Sequence, residues 1–582
     1  MEPYRRRGPS PSVSVADRVS GIARFLTVLG LLLSACVPNV SGPVPARPVE
    51  HEAPAVAAPS STTTTAAAPV VAAGSTDTDP GCPTEFCLIY HLNPGARWAD
   101  GSPVTATDFV HTADLYREVS PDTPPYAAVS EVVAVAEDTV RVVFDEMYGA
   151  WQGLFARLIR SGDPGRSIEQ VATTGPFQFD EWAEGEFLTL ERDPNWWAEE
   201  DPVSGQPLGD VERIRFVFID TPEEMVDALA DGDIDVMIAR PDDSVAAELS
   251  DMDEVRVALA TGQFWEHIDF HHEDPLLAEP WVREVFSLAI DREKILDRTV
   301  RQVTPEATAL DNTIWMPVSD HYEPHFPDGH DPDRAREILR REGCVAGEDD
   351  VQVCGGGRMS FRWVSTNDDP NRRLIFDSAR EDLEAVGIEV VGEFLAPSDF
   401  VRRDFLFGGP DRWQLINFSW RARPDPVATN SVYYCGENGS LNVNRYCSER
   451  VEELIRSTDS LVHPEGRAAV YNRADRIYLE DRALIPLYRK PTMMSWTDAI
   501  EGPEPNHTLG GDLWNVAAWT GQEEVIVALP SEPTAIDPLS TEDDVANVIL
   551  GPLLYGAYGM DPSHERLQVL VESVELITPS RR

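Results

Sequence analysis

Apolar and polar positions first form a clear pattern between residues 89 and 119. Residues 89–92 are a short apolar run typical of a strand, and the Asn-Pro-Gly and Asp-Gly sequences that follow favour turns. A helix is predicted from Thr105, whose hydroxyl can accept hydrogen bonds from first-turn amides, with Asp108 near the positive end of the helix dipole. The stretch therefore predicts a strand, two turns and a capped helix.

Strands and helices alternate through the rest of the chain. A strand at 213–219 is followed by a capping box at 221–224, a helix to residue 230 and a strand at 234–239. This β-α-β order predicts helices packed on a sheet, so the expected fold class is α/β. Further strands are predicted at 131–136, 139–144, 388–394 and 484–488, and further helices at 280–296, 374–386 and 468–479.

Length and charge narrow the class of protein. A chain of 582 residues is too long for one hydrophobic core and suggests about two to four domains. The net charge is −52 at pH 7, and the only lysines are Lys294 and Lys490. Such acidity argues against a nucleic-acid partner, because binding phosphates requires concentrated positive charge.

The first 36 residues have the pattern of a signal peptide. Arginines precede an apolar run at 25–33, which is shorter than the ~20 residues needed to span a bilayer. The run leads to Leu-Ser-Ala-Cys, which resembles the lipobox of bacterial lipoproteins and makes Cys36 the expected lipidation site. A plain signal peptide with a chance cysteine is the alternative. Residues 37–80, rich in Pro, Ala, Val, Thr and Ser, are expected to be a disordered linker.

The cysteines beyond Cys36 are spaced as three local pairs. An even number of cysteines that close small loops is typical of disulfides in an oxidising compartment. A zinc site is the rival interpretation, but the sequence has no C-x-x-C spacing to support it. The expected disulfides are Cys82/Cys87, Cys344/Cys354 and Cys435/Cys447.

Residues 92–108 also carry a long motif of fixed spacing. Its positions are Leu92, Gly95, Trp98, Asp100, Gly101, Pro103, Val104, Ala106 and Asp108. This set resembles the most recognisable segment of the extracytoplasmic solute-binding proteins of the peptide/nickel family, family 5, the receptors of oligopeptide ABC importers. Residues 173–177 and 282–292 resemble two further segments of the same family.

The resemblance implies a periplasmic-binding-protein-like type II fold. In that fold two lobes joined by a hinge close over a ligand, and in this family a small α+β domain is added. It further implies a monomer that binds a peptide or similar small solute, works with an ABC transporter permease and uses no cofactor.

The order of segments departs from that of the family. Parts that open the mature chain in the family lie near the C-terminal end here, at 524–529, 536–538, 553–556 and 570–577. We therefore expect a circular permutation, in which 570–577 pair antiparallel with 87–92. A fusion whose second copy was truncated is the alternative. The expected domains are a small domain (81–170 plus 536–582), a first lobe (171–270 plus 491–535) and a second lobe (271–490).

Ligand contacts are expected near residue 420. In the peptide binders of the family, a Trp-x-x-Asp places a carboxylate against the free amine of the peptide. Here Trp420 is retained, but the aspartate position is Arg423, which would pair with a carboxylate, phosphate or other acceptor. The alternative is that Arg423 faces solvent or bridges to a lobe. Asp425 could substitute for the lost aspartate, and Ser540 and Thr541 match a loop that approaches ligand in relatives.

Neither catalysis nor a metal site is expected. The chain has no GxxxxGK[ST], GxSxG or HExxH sequence. His271 and His272 are adjacent, and neighbouring residues on a strand point to opposite faces, so they are not expected to bind one metal ion. The predicted function is a lipid-anchored receptor that captures a solute for an ABC importer. The alternative is a sensory or degenerate receptor that is not coupled to transport.

Overall fold

A computed structural model describes residues 82–119, 125–239, 243–250, 252, 254–327, 329–436, 441–506, 508, 511–541 and 543–578. The strands are β1 (Phe86–Leu92), β2 (Val129–Ala136), β3 (Thr139–Phe144), β4 (Phe177–Ala183), β5 (Phe187–Arg192), β6 (Arg213–Phe218), β7 (Val236–Ala239), β8 (Val255–Phe270), β9 (Val345–Ala346), β10 (Gln352–Cys354), β11 (Gly357–Arg358), β12 (Ser360–Thr366), β13 (Glu389–Leu395), β14 (Leu415–Arg421), β15 (Leu484–Thr497), β16 (Glu524–Leu529), β17 (Tyr558–Met560), β18 (Arg566–Gln568) and β19 (Val571–Ile577).

The helices lie between these strands in the α/β order that the sequence predicts. They are α1 (Ala106–Val119), α2 (Pro222–Asp231), α3 (Asp243–Ser250), α4 (Pro280–Ala289), α5 (Arg292–Arg298), α6 (Pro332–Arg341), α7 (Pro370–Ala385), α8 (Pro397–Phe400), α9 (Arg403–Leu406), α10 (Glu449–Ser457), α11 (Pro464–Glu480) and α12 (Asp544–Leu550). In the described part of the chain, no helix combines the length and apolarity needed to cross a bilayer. The predictions for the signal peptide, Cys36 and the 37–80 linker concern residues outside the described ranges.

A four-stranded antiparallel sheet contains strands from both ends of the described chain. Its order is β19-β1-β3-β2, and the pairing of β1 with β19 is the antiparallel one expected from the sequence. Helix α1 packs on this sheet through Phe109 and Ala113, which are fully buried. At the helix start the prediction for Thr105 was wrong: its hydroxyl donates to Asp108 Oδ2 (3.0 Å), and that carboxylate also accepts from the Thr105 amide.

A ten-stranded mixed sheet forms the rest of the framework, in the order β13-β12-β14-β8-β15-β7-β16-β6-β5-β4. We refer to β4–β7 and β16 with their packed helices as the first lobe, and to β12–β14 with theirs as the second lobe. The two long strands β8 and β15 join the lobes. Residues 264–270 of β8 pair with β14, whereas the far half of β15 pairs with β7.

Strand β16 lies at the centre of the first lobe. It pairs in parallel with β6 on one side and β7 on the other, so residues near the C-terminal end complete the sheet between two strands that are consecutive in the chain. Val525 and Val527 of β16 are fully buried, as are Ile549 and Leu550 of α12, in the same core.

The second lobe carries helices on both faces of its sheet. One core packs α4, α6 and α7 on the sheet, and the other packs α10 and α11. The sequence predicts one helix over 280–296, and this was wrong: the structure has α4 and α5 there. The break occurs because the side chain of Asp291 accepts a hydrogen bond from the Lys294 amide (3.1 Å) and so starts a new helix.

Candidate ligand-binding site

A small cavity lies at the C-terminal end of β14, where the sheet of the second lobe meets α11. Its walls include the indoles of Trp265 and Trp420, the phenol ring of Tyr433 and the arginines Arg421 and Arg423. The local environment therefore combines aromatic surface with guanidinium groups.

The register of the sheet places three of the large side chains in one row. Trp420 of β14 lies opposite Trp265 of β8, and Trp265 lies opposite Arg489 of β15. Residues that are directly opposite on adjacent strands share a face of the sheet. His267, two residues along β8, stacks on Trp420 with ring centroids 6.1 Å apart. The row therefore lies on the cavity side of the sheet.

Arg421 connects the cavity to the first lobe. Its guanidinium forms an ion pair with Asp544 in the first turn of α12, and it lies over the ring of Phe264 with 5.5 Å between the guanidinium carbon and the ring centroid. The Arg421 side chain is buried, while Asp544 is about one-third exposed. The two lobes are thus in direct electrostatic contact beside the cavity.

Asp425, which the sequence suggests as a substitute for the lost ligand-binding aspartate, pairs with other residues of the protein. Arg467 donates two hydrogen bonds to it, at 2.8 and 2.9 Å, and Arg566 of β18 lies 3.9 Å away. Asp425 also accepts from the Val427 amide at 3.0 Å. Burial, the largest single effect, would raise the pKa of Asp425. The charge and hydrogen bonds of Arg467, the charge of Arg566 and the Val427 amide together outweigh burial and hold the pKa below its ordinary value.

Ser540 and Thr541 lie in the turn that precedes α12. Ser540 is exposed, and its hydroxyl donates to Asp537 Oδ2 (2.8 Å). The Thr541 amide donates to the Asp537 carbonyl oxygen (3.2 Å). The structure therefore places Trp420 and Arg423 in the cavity wall, and Asp425 outside it in an ion pair with Arg467. The Ser540–Thr541 turn precedes α12, whose Asp544 pairs with Arg421 of the wall.

A buried arginine, Arg489, lies where β8 and β15 pass between the lobes. No sequence motif identifies this residue. Arg489 donates to the carbonyl oxygens of Thr261 (2.9 Å) and Gly262 (2.7 and 3.0 Å), and burial lowers its pKa to about 10. Gly262 is required there because a Cβ atom would lie 2.8 Å from the Lys490 carbonyl oxygen.

Two further titratable groups near the lobe junction have strongly shifted pKa values. Burial, aided by the charge of Arg489, lowers the pKa of His564 to about 4, so this imidazole is neutral at pH 7. Burial, aided by the charge of Asp544, raises the pKa of Asp512 to about 7. Sequence spacing cannot reveal either group, because the shifts depend on neighbours far away in the chain.

The paired cysteines lie close to one another, and the adjacent histidines contact backbone carbonyl oxygens. The sulfur atoms of Cys82 and Cys87, of Cys344 and Cys354, and of Cys435 and Cys447 lie at bonding distance. His271 Nε2 lies 3.0 Å from the Gly408 carbonyl oxygen, and His272 Nε2 lies 2.9 Å from that of Ala483. Among the described residues, no group of three or more His, Cys, Asp or Glu side chains is arranged to hold a metal ion.

Comparison with known families establishes the class of this protein. The model for bacterial extracellular solute-binding proteins, family 5, matches residues 86–440, which is more than half of the chain. The chain belongs to this family. Family 5 proteins are non-enzymatic binding proteins, and the mixed α/β sheet, the two lobes and the joining strands are those of the periplasmic-binding-protein type II fold.

Curated relatives of this family 5 protein include two oligopeptide-binding proteins. OppA of Mycobacterium tuberculosis H37Rv is 22% identical over 434 residues, covering 69% of each chain. The periplasmic oligopeptide-binding protein OppA of Escherichia coli K12 is 21% identical over 471 residues, covering 72% of this chain and 79% of the relative. Solute capture for ABC importers is the shared activity.

Solved structures support the fold. The periplasmic EDTA-binding protein EppA matches with a TM-score of 0.63 at 17% identity, covering 75% of this chain and 85% of EppA. AppA of Bacillus subtilis, solved with a nonapeptide, matches with a TM-score of 0.53 at 17% identity, covering 75% of this chain and 88% of AppA. At this level of identity the likeness shows the fold and not the ligand.

Proposed function

We propose that this chain is a lipid-anchored extracytoplasmic receptor that captures a peptide or similar small solute and delivers it to an ABC transporter permease. The observation that carries the proposal is the two-lobed fold, in which β8 and β15 join the lobes, together with the small cavity. The cavity lies beside the two strands that join the lobes, and Arg421 reaches across from the cavity wall to Asp544 of α12. Closure of the lobes would bury a solute held there.

The proposed attachment to the membrane rests on the N-terminal sequence. Cys36 ends a lipobox-like sequence, and the 44 residues from 37 to 80, rich in Pro, Ala, Val, Thr and Ser, are the proposed linker between Cys36 and the rest of the chain. As a random coil this linker would span roughly 35–40 Å. A monomer on such a tether can reach a permease in the same membrane without dissociating from the surface.

The proposed circular permutation rests on sheet pairing. β19 completes the four-stranded sheet beside β1, and β16 completes the first lobe between β6 and β7. Both strands follow the second lobe in the chain. In the proposed ancestor the segment from β16 to β19 came first and ran directly into β1. Joining the ancestor's own ends and opening new termini between β19 and β1 would give the present order. Exposed connections tolerate such cuts because little buried backbone bonding is lost.

We keep the small domain (81–170 plus 536–582), the first lobe (171–270 plus 491–535) and the second lobe (271–490) as the proposed division. Helix α12 falls in the small domain by this division, but its residues Ile549 and Leu550 pack in the core of the first lobe.

Each site residue has a proposed role. Trp420 offers an aromatic surface to the solute, and Arg423 offers hydrogen bonds to an acceptor group. Asp425 holds the loop after β14 through Arg467. Ser540 and Thr541 approach the solute from the turn before α12 when the lobes close.

The experiment that tests solute capture is mass spectrometry of small molecules released by denaturing the gently purified full chain. A defined solute, present in proportion to the protein and absent from an unrelated exported lipoprotein purified in parallel, is the expected result. Protein that releases no solute, and binds none from a cell extract by equilibrium dialysis, would contradict the proposal.

A further inference from the structure

We infer that the lobes turn about one step of the β8–β15 pair, at residues 262–263 of β8 and Lys490 of β15, and that Arg489 is the positioning residue that sets the angle of the strands there. The guanidinium of Arg489 takes the place of regular strand pairing across this step. This hinge assignment rests on the proposed function, because it concerns the movement by which the lobes would close on a solute.

The pairing of β8 with β15 is interrupted between the lobes. Arg489 lies opposite Trp265, and the next pair along the strands is Pro491 with Thr261. Residues 262–264 of β8 therefore face a single residue of β15. Such a mismatch breaks the regular ladder and bends the strands. Pro491 adds to the break, because proline has no N–H to donate to a neighbouring strand.

The interruption falls where the two strands pass from one lobe to the other. On one side of it, residues 264–270 of β8 pair with β14 of the second lobe. On the other side, residues 493–496 of β15 pair with β7 of the first lobe. Each flank of the strand pair is thus held by a sheet, and the ladder is least regular between them. A rotation of the lobes would concentrate its backbone changes at this point.

The side chain of Arg489 spans the interruption. Its backbone pairs in the second-lobe segment, but its guanidinium donates to the carbonyl oxygens of Thr261 (2.9 Å) and Gly262 (2.7 and 3.0 Å), at and beyond the break. Burial lowers the pKa of Arg489 to about 10, which leaves the group a cation at pH 7. Because the side chain is buried, water does not compete for these hydrogen bonds. A side chain with several rotatable bonds thus connects the two flanks where rigid backbone pairing is interrupted.

The backbones of the two strands are close together at the break and cannot adjust freely. Lys490 forms ion pairs with Asp369, the N-cap residue of α7, and with Glu266 of β8 (3.4 Å), so its side chain is tied to the second lobe. A Cβ atom on Gly262 would lie 2.8 Å from the Lys490 carbonyl oxygen. The contact that can tilt or lengthen as the lobes turn is therefore the set of hydrogen bonds from Arg489.

The test compares four forms of the full chain: wild type, Arg489→Met, Arg489→Lys and Arg283→Met, each with spin labels at the exposed positions Glu184→Cys and Glu384→Cys. Arg283 is the matched control, since it is also buried and donates to backbone carbonyl oxygens within the second lobe (2.7–3.2 Å). Thermal unfolding and near-ultraviolet circular dichroism establish that each form is folded. Pulsed electron resonance measures the distance between the labels, without solute and with the solute fraction released from wild type.

The expected result is a distance distribution that shifts or widens by more than about 2 Å in Arg489→Met before any solute is added. Arg283→Met should also lose stability but keep the wild-type distribution, because its hydrogen bonds lie within one lobe. Arg489→Lys keeps the charge but not the planar group with several donors, so it should show a smaller change of the same kind. This variant decides the outcome where Arg489→Met does not fold.

A wild-type distribution in every folded Arg489 variant would overturn the role of Arg489, while a response of wild type to the released fraction would leave solute capture intact. An equal change in Arg283→Met would also overturn it, because the effect would then follow the loss of stability and not the position of the arginine. If wild type fails to respond to the released fraction but the Arg489 variants alter the distribution, the hinge role holds and capture by lobe closure fails.

Discussion

Leu88 of β1 lies directly opposite Leu576 of β19, in the middle of the antiparallel pair that links the two ends of the described chain. Leu88 is fully buried and Leu576 is nearly so, in the core that also contains Phe109 of α1. The small sheet therefore depends on β19, which is more than 470 residues away from β1 in the chain. This relationship gives the proposed permutation a direct physical consequence.

Ending the chain after Leu570 should unfold the small domain. β19 buries Val571, Val574 and Leu576, and at about 1.5–3 kcal/mol for each side chain their loss costs roughly 5 kcal/mol or more. Limited proteolysis and thermal unfolding measure the effect. A chain that ends after Thr578 is the control and should behave as wild type. Equal protection of the two truncated chains would contradict the structural role of β19.

Replacement of Asp425 should act mainly on stability. Asp425→Asn leaves Arg467 buried beside an uncharged partner, and breaking a buried ion pair in this way costs about 3 kcal/mol. Urea unfolding measures the difference. Asp404→Asn, in an exposed pair with Arg402, should change stability by less than about 1 kcal/mol. If Asp425→Asn kept wild-type stability, Asp425 would be available to a ligand after all.

The ion pair between Arg421 and Asp544 should couple the lobes energetically. A double-mutant cycle of Arg421→Gln and Asp544→Asn should give a coupling of roughly 1 kcal/mol in unfolding free energy, modest because Asp544 is partly exposed to solvent. The cycle isolates the pair because each single change removes the same interaction. Additive effects of the two changes would show that the contact carries no energy between the lobes.

Asp512 should make stability fall as the pH rises. Its pKa in the folded protein is about 7, whereas an unfolded aspartate ionises near pH ~4. Between these values the folded state binds more protons than the unfolded state, so the free energy of unfolding decreases with increasing pH. Asp512→Asn should match wild type at the acid end of this window and exceed it above the folded pKa.

Urea unfolding at several pH values measures this difference, with the exposed Asp399→Asn as the control. The result that would contradict the account is a constant difference between Asp512→Asn and wild type over the whole range.

The fold was predictable where short sequence patterns decide it. The motif at 92–108 predicts the class, and the run at 570–577 predicts the partner of β1. The break between α4 and α5 was missed because Ile290 continues the apolar spacing, while the capping by Asp291 decides the local structure.

The site was predictable only in part. Trp420, Arg423 and Asp425 lie in one short segment, so a single motif identifies them. Arg467 and Arg566, which determine what Asp425 can do, lie 42 and 141 residues further along the chain. No spacing rule connects such partners. Arg467 reaches Asp425 through packing within the second lobe, and Arg566 through packing of β18 against that lobe.

The most direct test of the account is the distance between the lobes with and without solute. Spin labels at Glu184→Cys in the first lobe and Glu384→Cys in the second attach to exposed positions, and pulsed electron resonance measures the distance between them. The probe is the solute fraction released from the same protein. We predict a shift of the distance distribution by more than about 2 Å when this fraction is added to emptied protein. Labels at Asp333→Cys and Glu384→Cys, both in the second lobe, should show no shift. An unchanged distance between the lobes would contradict capture by lobe closure.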